Sequence, residues 1–596
     1  MHRDATALAD VEFDLLIVGG GAFGAAAARD AALRGLRTAL IERADFGGGA
    51  SAECFKMVHG GIRYLQHADL PRLRASCHER STLLRIAPHL VQPLPIAIPT
   101  YGRGRRGRAF LGAGALLYDL LTIDRNLRVR DPQRRIRGTR LFSRAEVLDL
   151  FPHLDAPGLS GAVVFEDGQM YNPARLVLAF VKGAAAAGAV VCNYVEGLGF
   201  VWRGSRVTGV RARDRMSGDQ FEIRARLTLN AAGPWADYLE CDPQRFGALR
   251  RAPFSRDAYF IVDRPPASAY GLAVQGLSRD KDAVLGRSTR HLFVAPWRDK
   301  TLLGVWHRLF PESPDHAQVD RTEVAAWISE LNHVYPALAL SPSEVTFANC
   351  GLVPFGETAT QTELSFGKES RLIDHRSEHG VHGLVTLVGI RFTTARRDAA
   401  RALDLLLQQA PGRPRDTASD RLALPGGNIE DFAAFEAHAQ LTFPAYLERR
   451  SLPGLLRNHG SEYLDVIRLA QGDSATSVLA GTTTLLAEVQ YAVEREMAVR
   501  LEDVVMRRTD LAAGSHPGRA AIELAARHMA QPLGWSSERI AQEIDATETT
   551  LARHLARDPR LEKTRNCAAD SATGRTPHIG AMLAGASDAR VARYQV

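Results

Sequence analysis

Residues 13–42 read FDLLIV, GGGAFG, AAAARDAALRG, LRTALI and E in unbroken succession. The first run is short, apolar and bounded by glycine, as a strand buried in a parallel sheet should be. An alanine-rich helix over 25–33 follows, Gly35 ends it, and a second strand over 36–41 runs into Glu42. In such a unit Gly19 permits the tight turn, Gly21 lets backbone approach a pyrophosphate, and Gly24 lets helix and strand pack closely. Ala22 and Phe23 complete the turn, where the helix N-terminus offers N–H groups and a positive dipole end to phosphate. Glu42, with Arg43 beside it, stands where a ribose hydroxyl would be accepted, and an acid there disfavours an additional 2′-phosphate. The spacing therefore predicts dinucleotide binding.

Working outward, the chain does not continue into further strand–helix–strand units, as an NAD domain would. It enters a glycine- and arginine-rich excursion. Residues 227–237 (LTLNAAGPWAD) and 383–400 (GLVTLVGIRFTTARRDAA) instead look like distant pieces of the same sheet. That interleaving fits FAD better. Residues 206–226 and 259–303 alternate enough to supply an antiparallel sheet for a second domain. The expected fold is an α/β Rossmann-type FAD-binding domain with an interleaved antiparallel-sheet substrate domain over 12–415, and an all-α domain over 416–557. Helices are expected there at 432–449, 452–458, 462–469, 484–496, 501–507, 518–528 and 536–554, before a polar tail at 558–596.

Composition narrows the classes. With 596 residues, the loose prior is about four domains, and 45% hydrophobic with 24% charged residues excludes collagen-like, disordered and disulfide-scaffold chains. The formal charge is +7, but six lysines against 68 arginines give no aromatic and basic recognition module, so nucleic acid is not an expected partner. Cys54, Cys77, Cys192, Cys241, Cys350 and Cys567 lie far apart, without metal-ligand spacing. No metal is expected, and a reducing compartment is the simpler reading. Asp4, Asp10, Glu12 and Asp14 make the start unlike a secretory signal. The longest apolar stretch, 109–121, is too short to span a bilayer. It follows Arg103, Arg105, Arg106 and Arg108, and reads either as an interfacial helix or as a solvated loop leading into a buried one.

After the nucleotide unit stands Lys56-Met57-Val58-His59-Gly60-Gly61-Ile62-Arg63-Tyr64-Leu65, then Ala87-Pro88-His89-Leu90. Further on come Tyr171-Asn172-Pro173-Ala174-Arg175-Leu176, Asn230-Ala231-Ala232-Gly233-Pro234-Trp235, Phe293-Val294-Ala295-Pro296-Trp297 and Leu424-Pro425-Gly426-Gly427. In this order, over residues 12–545, the strings resemble the FAD-dependent glycerol-3-phosphate dehydrogenase family of DAO-like flavoproteins. The resemblance implies FAD as cofactor, held by the residues already named at the first turn and by Lys56, His59, Gly60, Gly61, Ala232, Gly233, Trp235, Gly389, Arg391, Phe392, Thr393 and Thr394. It implies oxidation of sn-glycerol 3-phosphate, or a related polyol phosphate, by hydride transfer to flavin N5. Quinone is the implied acceptor, and the implied location is cytoplasmic, peripheral at the inner face of the membrane; a homodimer stays open. Arg63 and Tyr64 are implied to line the substrate site, with Lys368 and Arg391 as further cations; Arg63 and Arg391 are candidate catalytic groups, and of the histidines His59, which also reads as a structural residue beside the flavin turn, and His307 are candidate bases.

Departures from the family sit in the substrate pocket. The family's G-V-R-P is Gly351-Leu352-Val353-Pro354 here, so an isopropyl group replaces a bidentate cation. Its G-G-K-x-T-T is Gly389-Ile390-Arg391-Phe392-Thr393-Thr394, and its G-T-T-D is Gly304-Val305-Trp306-His307, which puts Trp306 among the expected substrate contacts. The alternatives are an FAD enzyme for another small hydroxy or amino compound, and a flavin-binding protein whose catalysis has been altered.

Overall fold

The computed structural model describes residues 1–104, 107–152, 154, 157–247, 254–279, 289–354, 370–410, 416–470 and 477–555. Its first apolar run is the strand Glu12–Val18, and the glycine turn opens directly into the helix Ala22–Leu33. The strand is central and parallel to both neighbours: Leu15 pairs with Leu227 of Gln220–Asn230 and with Thr38 of Thr38–Ile41. Leu384–Val388 and Val190–Cys192 extend the parallel set outward, and Arg371–Asp374 closes one edge antiparallel. Segments more than 150 residues apart therefore assemble one sheet, as the expected interleaving requires. Ala25, Ala26, Ala27, Ala28 and Ala31 are buried, and their small side chains let the first helix pack between Pro173–Ala186 and Ala395–Leu407.

The strands over 206–226 correct an expectation. Arg206–Asp214 and Gln220–Asn230 pair antiparallel in the nucleotide sheet itself, with Val195–Arg203 behind them. Their alternating face was legible, but alternation carries no information on which sheet a strand joins. Among the described residues the second sheet has nine strands, built around Phe254–Val262, Gly271–Arg279, Thr289–Trp297, Lys300–Phe310 and Val345–Pro354, and continued by Val91–Tyr101, Leu159–Met170, Met57–Val58 and Arg140–Ser143.

Beyond residue 416 the described chain is helical. The first helix, Phe432–Thr442, ends seven residues earlier than expected because Pro444 cannot continue it. Phe443, Leu455, Leu456 and Val466 form a small core of their own, while Leu486, Val489, Ala525 and Met529 pack with Tyr259, Trp297 and Leu302 of the second sheet. The described residues accordingly form one compact unit. The expected tail at 558–596 lies outside the described residues.

A buried ionic lock ties the helical region to the nucleotide sheet. Asp45 accepts hydrogen bonds from Arg507 Nε (2.6 Å), Arg508 Nη1 (2.6 Å), Arg508 Nη2 (2.8 Å) and Asn193 Nδ2 (3.0 Å). Both arginines come from the π-helical turn Val504–Arg508. A second lock pairs Glu496 with Arg175 and with Lys182 Nζ, the latter at 3.0 Å.

The apolar stretch is a helix, Arg108–Leu121. Gly112, Ala115 and Tyr118 are buried, whereas Phe110, Leu116, Leu117 and Leu120 are exposed, followed by exposed Ile123 and Leu127. Its larger apolar side chains point outward, the reverse of an ordinary core helix. Among the described residues no helix is long and apolar enough to cross a membrane.

Candidate active site

A cavity of about 1010 Å³ begins at the first glycine turn and passes between the two sheets. Its volume is at the upper end for small-molecule sites, which suits an extended ligand. Gly19, Gly21, Ala22, Phe23, Glu42 and Arg43 line one end, with Ala232, Gly233 and Trp235 beside them after the adjacent strand. The cradle depends on missing side chains: a Cβ on Gly24 would lie 1.8 Å from the Gly19 carbonyl oxygen, and Gly19 itself has φ +109°. Gly24 thus acts through packing and does not reach the wall. Glu42 lines the cavity, yet its carboxylate already accepts from Gly20 N (2.6 Å) and Ala44 N (2.9 Å). Burial raises its pKa, and these two N–H groups oppose the rise. Ser51 Oγ accepts from Ala22 N at the mouth of the first helix, a contact with no sequence signal. Arg43 stacks over Trp235, and both bond to Asp315, which closes this end of the cavity.

Deeper in, Gly389, Ile390, Arg391, Phe392 and Thr393 form a turn that leads into the helix Ala395–Leu407. A Cβ on Gly389 would lie 2.0 Å from the Phe23 ring, so this turn is seated against the first glycine turn. His59 N donates to Thr393 Oγ1 at 3.0 Å, which joins the His59-Gly60-Gly61 string to the same floor. His59 and Gly61 line the cavity. Gly60 and Thr394 do not: Gly60 lies against Arg80 and donates its N–H to Asp167, and Thr394 Oγ1 donates to Asp398. The His59 ring is half exposed, with Nδ1 3.5 Å from Asp167 Oδ2. Burial alone would raise the Asp167 pKa, but the hydrogen bond from His59 and the charge of Arg80 bring it below the ordinary carboxylate value.

Lys56 is not part of the cavity. Its side chain is buried away from the wall, donates to Tyr259 Oη at 2.7 Å and stacks over Tyr259 and Trp297. Burial lowers its pKa to about 8. Trp306 is a second correction. Successive residues of a strand face opposite sides, so Trp306 is turned into the core against Phe260 and Trp327, and Nε1 donates to Glu330. Its neighbours Val305 and His307 face the cavity instead.

Around Tyr64 the cavity wall carries Arg391 and Arg72, the latter ion-paired with Asp69 at 2.5 Å. Arg391 donates to Tyr64 Oη, and both Arg391 and Arg72 stack over the Tyr64 ring, at 5.0 and 4.9 Å. Arg290 and His291 reach the wall from Thr289–Trp297 of the second sheet, and Val353 from Val345–Pro354. Sequence reasoning missed Arg72, Arg290 and His291. The signals were modest: Asp69 caps the helix that carries Arg72, and the other two stand just before Phe293-Val294-Ala295-Pro296-Trp297. Lys368 and the side chain of Arg63 lie outside the described residues.

Comparison with known proteins agrees with this geometry. Residues 14–395 match the family of FAD-dependent oxidoreductases, and residues 417–540 match the C-terminal domain of alpha-glycerophosphate oxidase. The chain is 31% identical to a glycerol-3-phosphate dehydrogenase of Synechocystis sp., over 91% of this chain and 97% of the relative. A mitochondrial glycerol-3-phosphate dehydrogenase of Macaca fascicularis is 28% identical, over 93% of this chain and 75% of the relative. The fold is shared with the crystal structure of a glycerol-3-phosphate dehydrogenase from Bacillus halodurans complexed with FAD, at TM-score 0.72 and 23% identity, covering 92% of this chain and 96% of that one. With its glycine cradle, its interleaved sheet and this match over most of its length, the chain belongs to the family of FAD-dependent oxidoreductases.

Proposed function

We propose that this enzyme oxidises the secondary alcohol of sn-glycerol 3-phosphate, or of a closely related polyol phosphate, to the ketone, dihydroxyacetone phosphate in the first case. The observation that carries the reading is the continuity of one cavity from the glycine cradle to the cations around Tyr64. Bound FAD supplies a two-electron acceptor at isoalloxazine N5. The chain's own groups do the rest. N–H groups of the turn at 391–393, with the N-terminal end of Ala395–Leu407 behind them, would favour negative charge on a flavin held there. Arg391, Arg72 and Arg290 hold the phosphate, with Arg63 and Lys368 as further cations, and so fix the alcohol carbon for hydride loss. Electrons then pass to a quinone. The outward leucines of Arg108–Leu121, with Arg103 and Arg108 beside them, are read as the surface that rests on an anionic bilayer.

Anaerobic mixing of the yellow holoprotein with sn-glycerol 3-phosphate, glycerol, 2-hydroxy acids and amino acids tests the substrate. Only the polyol phosphate should bleach the flavin, and bleaching by an amino or hydroxy acid alone would sink the reading. A second reading, another small hydroxy or amino compound, is favoured by one observation: Val305 and Val353 make part of the wall apolar. The substitution Val353→Arg separates the two. If three arginines already hold the phosphate it should tighten glycerol 3-phosphate by less than about threefold, whereas about a hundredfold gain, the worth of a new bidentate pair, would favour the second.

A further inference from the structure

We propose that His307 is the general base for the substrate hydroxyl and that Asp257 is its positioning residue, with Ser255 behind Asp257. The proposal rests on the polyol-phosphate reading of the cavity. Asp257 and His307 are direct cross-strand partners on Phe254–Val262 and Lys300–Phe310, and both line the cavity. Val305, which the pairing skips, and His307 both face the cavity, while Trp306 anchors the strand from behind. His307 Nδ1 lies 2.7 Å from Asp257 Oδ1, and Ser255 Oγ donates to the same oxygen at 2.6 Å.

An ionised carboxylate only accepts hydrogen bonds, so this contact places the imidazole proton on Nδ1 and the lone pair on Nε2. A ring fixed in tautomer and orientation by an acid is the arrangement a general base requires. His59 is held less firmly, with Nδ1 at 3.5 Å from an Asp167 that already serves Gly60 and Arg80. In the reaction the O–H bond breaks and its proton passes to His307 Nε2. The C–H hydrogen leaves with its electron pair for the flavin, and the C=O bond forms. Asp257 stabilises the imidazolium until its proton returns to water. Asp257, Arg290, His291, Asp315, Arg391 and His59 share the cavity wall and contribute to the field at this ring.

The test compares His307→Ala, Asp257→Asn and Ser255→Ala holoproteins in anaerobic flavin reduction by glycerol 3-phosphate across pH. His307→Ala should slow reduction by about 10²–10⁴-fold, the usual worth of a general base, with partial rescue by added imidazole and little change in substrate affinity. Asp257→Asn should slow it by about 10–100-fold and move the acid limb of the profile to lower pH, because the imidazolium loses its anionic partner. Ser255→Ala should have a smaller effect of the same kind. Independently of turnover, a strongly downfield Nδ1–H proton resonance should appear in the wild-type ¹H NMR spectrum, with or without FAD, and vanish in the first two variants. An unchanged rate in His307→Ala overturns the proposal. So does a slow variant without imidazole rescue together with an unmoved acid limb in Asp257→Asn. If the wild-type flavin is not bleached by glycerol 3-phosphate, the substrate reading itself fails and the proposal falls with it.

Discussion

At Gly24 a single methyl group would meet the carbonyl oxygen of Gly19 at 1.8 Å, a backbone atom with no flexible side chain to give way. Gly24→Ala should therefore yield folded but colourless protein, read as loss of the flavin band relative to protein absorbance. Lys56 offers a test of opposite character. Its amine is buried with Tyr259 Oη as its hydrogen-bond partner, and its pKa falls from 10.5 to about 8 through burial. A lysine with a depressed folded pKa costs stability while it is charged, and that cost disappears as pH rises from about 8 to 10.5, where only the unfolded chain still binds the proton. Lys56→Met should be more stable than wild type at pH 7, by up to about 3 kcal/mol from the 2.5-unit shift, and the advantage should vanish by pH 10.5 in chemical denaturation. Residue types were readable here more easily than directions. The string carrying Lys56 and His59 was evident, but Lys56 has φ +59° and turns its side chain away from the cavity. Trp306 and His307 were both expected at the site, and strand parity admits only the second.

Among the elements, the π-helical turn Val504–Arg508 does most to join the helical region to the nucleotide sheet. Burial would raise the Asp45 pKa, but Arg508 and Arg507 hold it down at about 2, whereas burial and the nearby Asp45 push Asp503 up to about 6. Asp45 therefore contributes stability that is full above the ordinary carboxylate range and is lost as pH falls from about 4 to about 2. Asp503 runs the other way, relieving a cost as pH falls through about 6. Asp45→Asn should destabilise the protein by about 3–5 kcal/mol at pH 7, since two buried guanidiniums lose their counter-charge. It should also flatten the acid limb of a Tm-against-pH curve below pH 4; an unchanged limb would assign acid sensitivity elsewhere. Long periodic elements were legible: the first strand and helix, and most C-terminal helices, fall within a few residues of expectation. Sheet membership was not, as the strands over 206–226 illustrate. Nor was the lock, because its members are separated by more than 450 residues and no local pattern links them.

For the whole molecule, one face is chemically unlike the rest, with Leu116, Leu120, Ile123 and Leu127 between 65% and 80% exposed. If that face rests on lipid, the protein should co-sediment with phosphatidylglycerol vesicles at low salt and less with phosphatidylcholine. The double substitution Leu116→Ser, Leu120→Ser should release about 90% or more of it, because each buried leucine side chain contributes about 1.5–3 kcal/mol; retention by the double variant would refute the assignment. The cofactor half of the site was legible because phosphate binding needs glycine at fixed spacing. The substrate half was legible only in part: Tyr64, Arg391 and His307 stand in strings that departed from or matched a motif, but Arg72, Asp257 and the pair Arg290–His291 come from three further elements that only folding brings to the same cavity. What unites both halves is the claim that one continuous cavity carries a two-electron oxidation from a phosphorylated alcohol to FAD. The most direct test is an anaerobic single turnover: sn-glycerol 3-phosphate added to the holoprotein should bleach the oxidised-flavin band and yield one equivalent of dihydroxyacetone phosphate per FAD. A band that persists with glycerol 3-phosphate, while dithionite still bleaches it, would contradict the account.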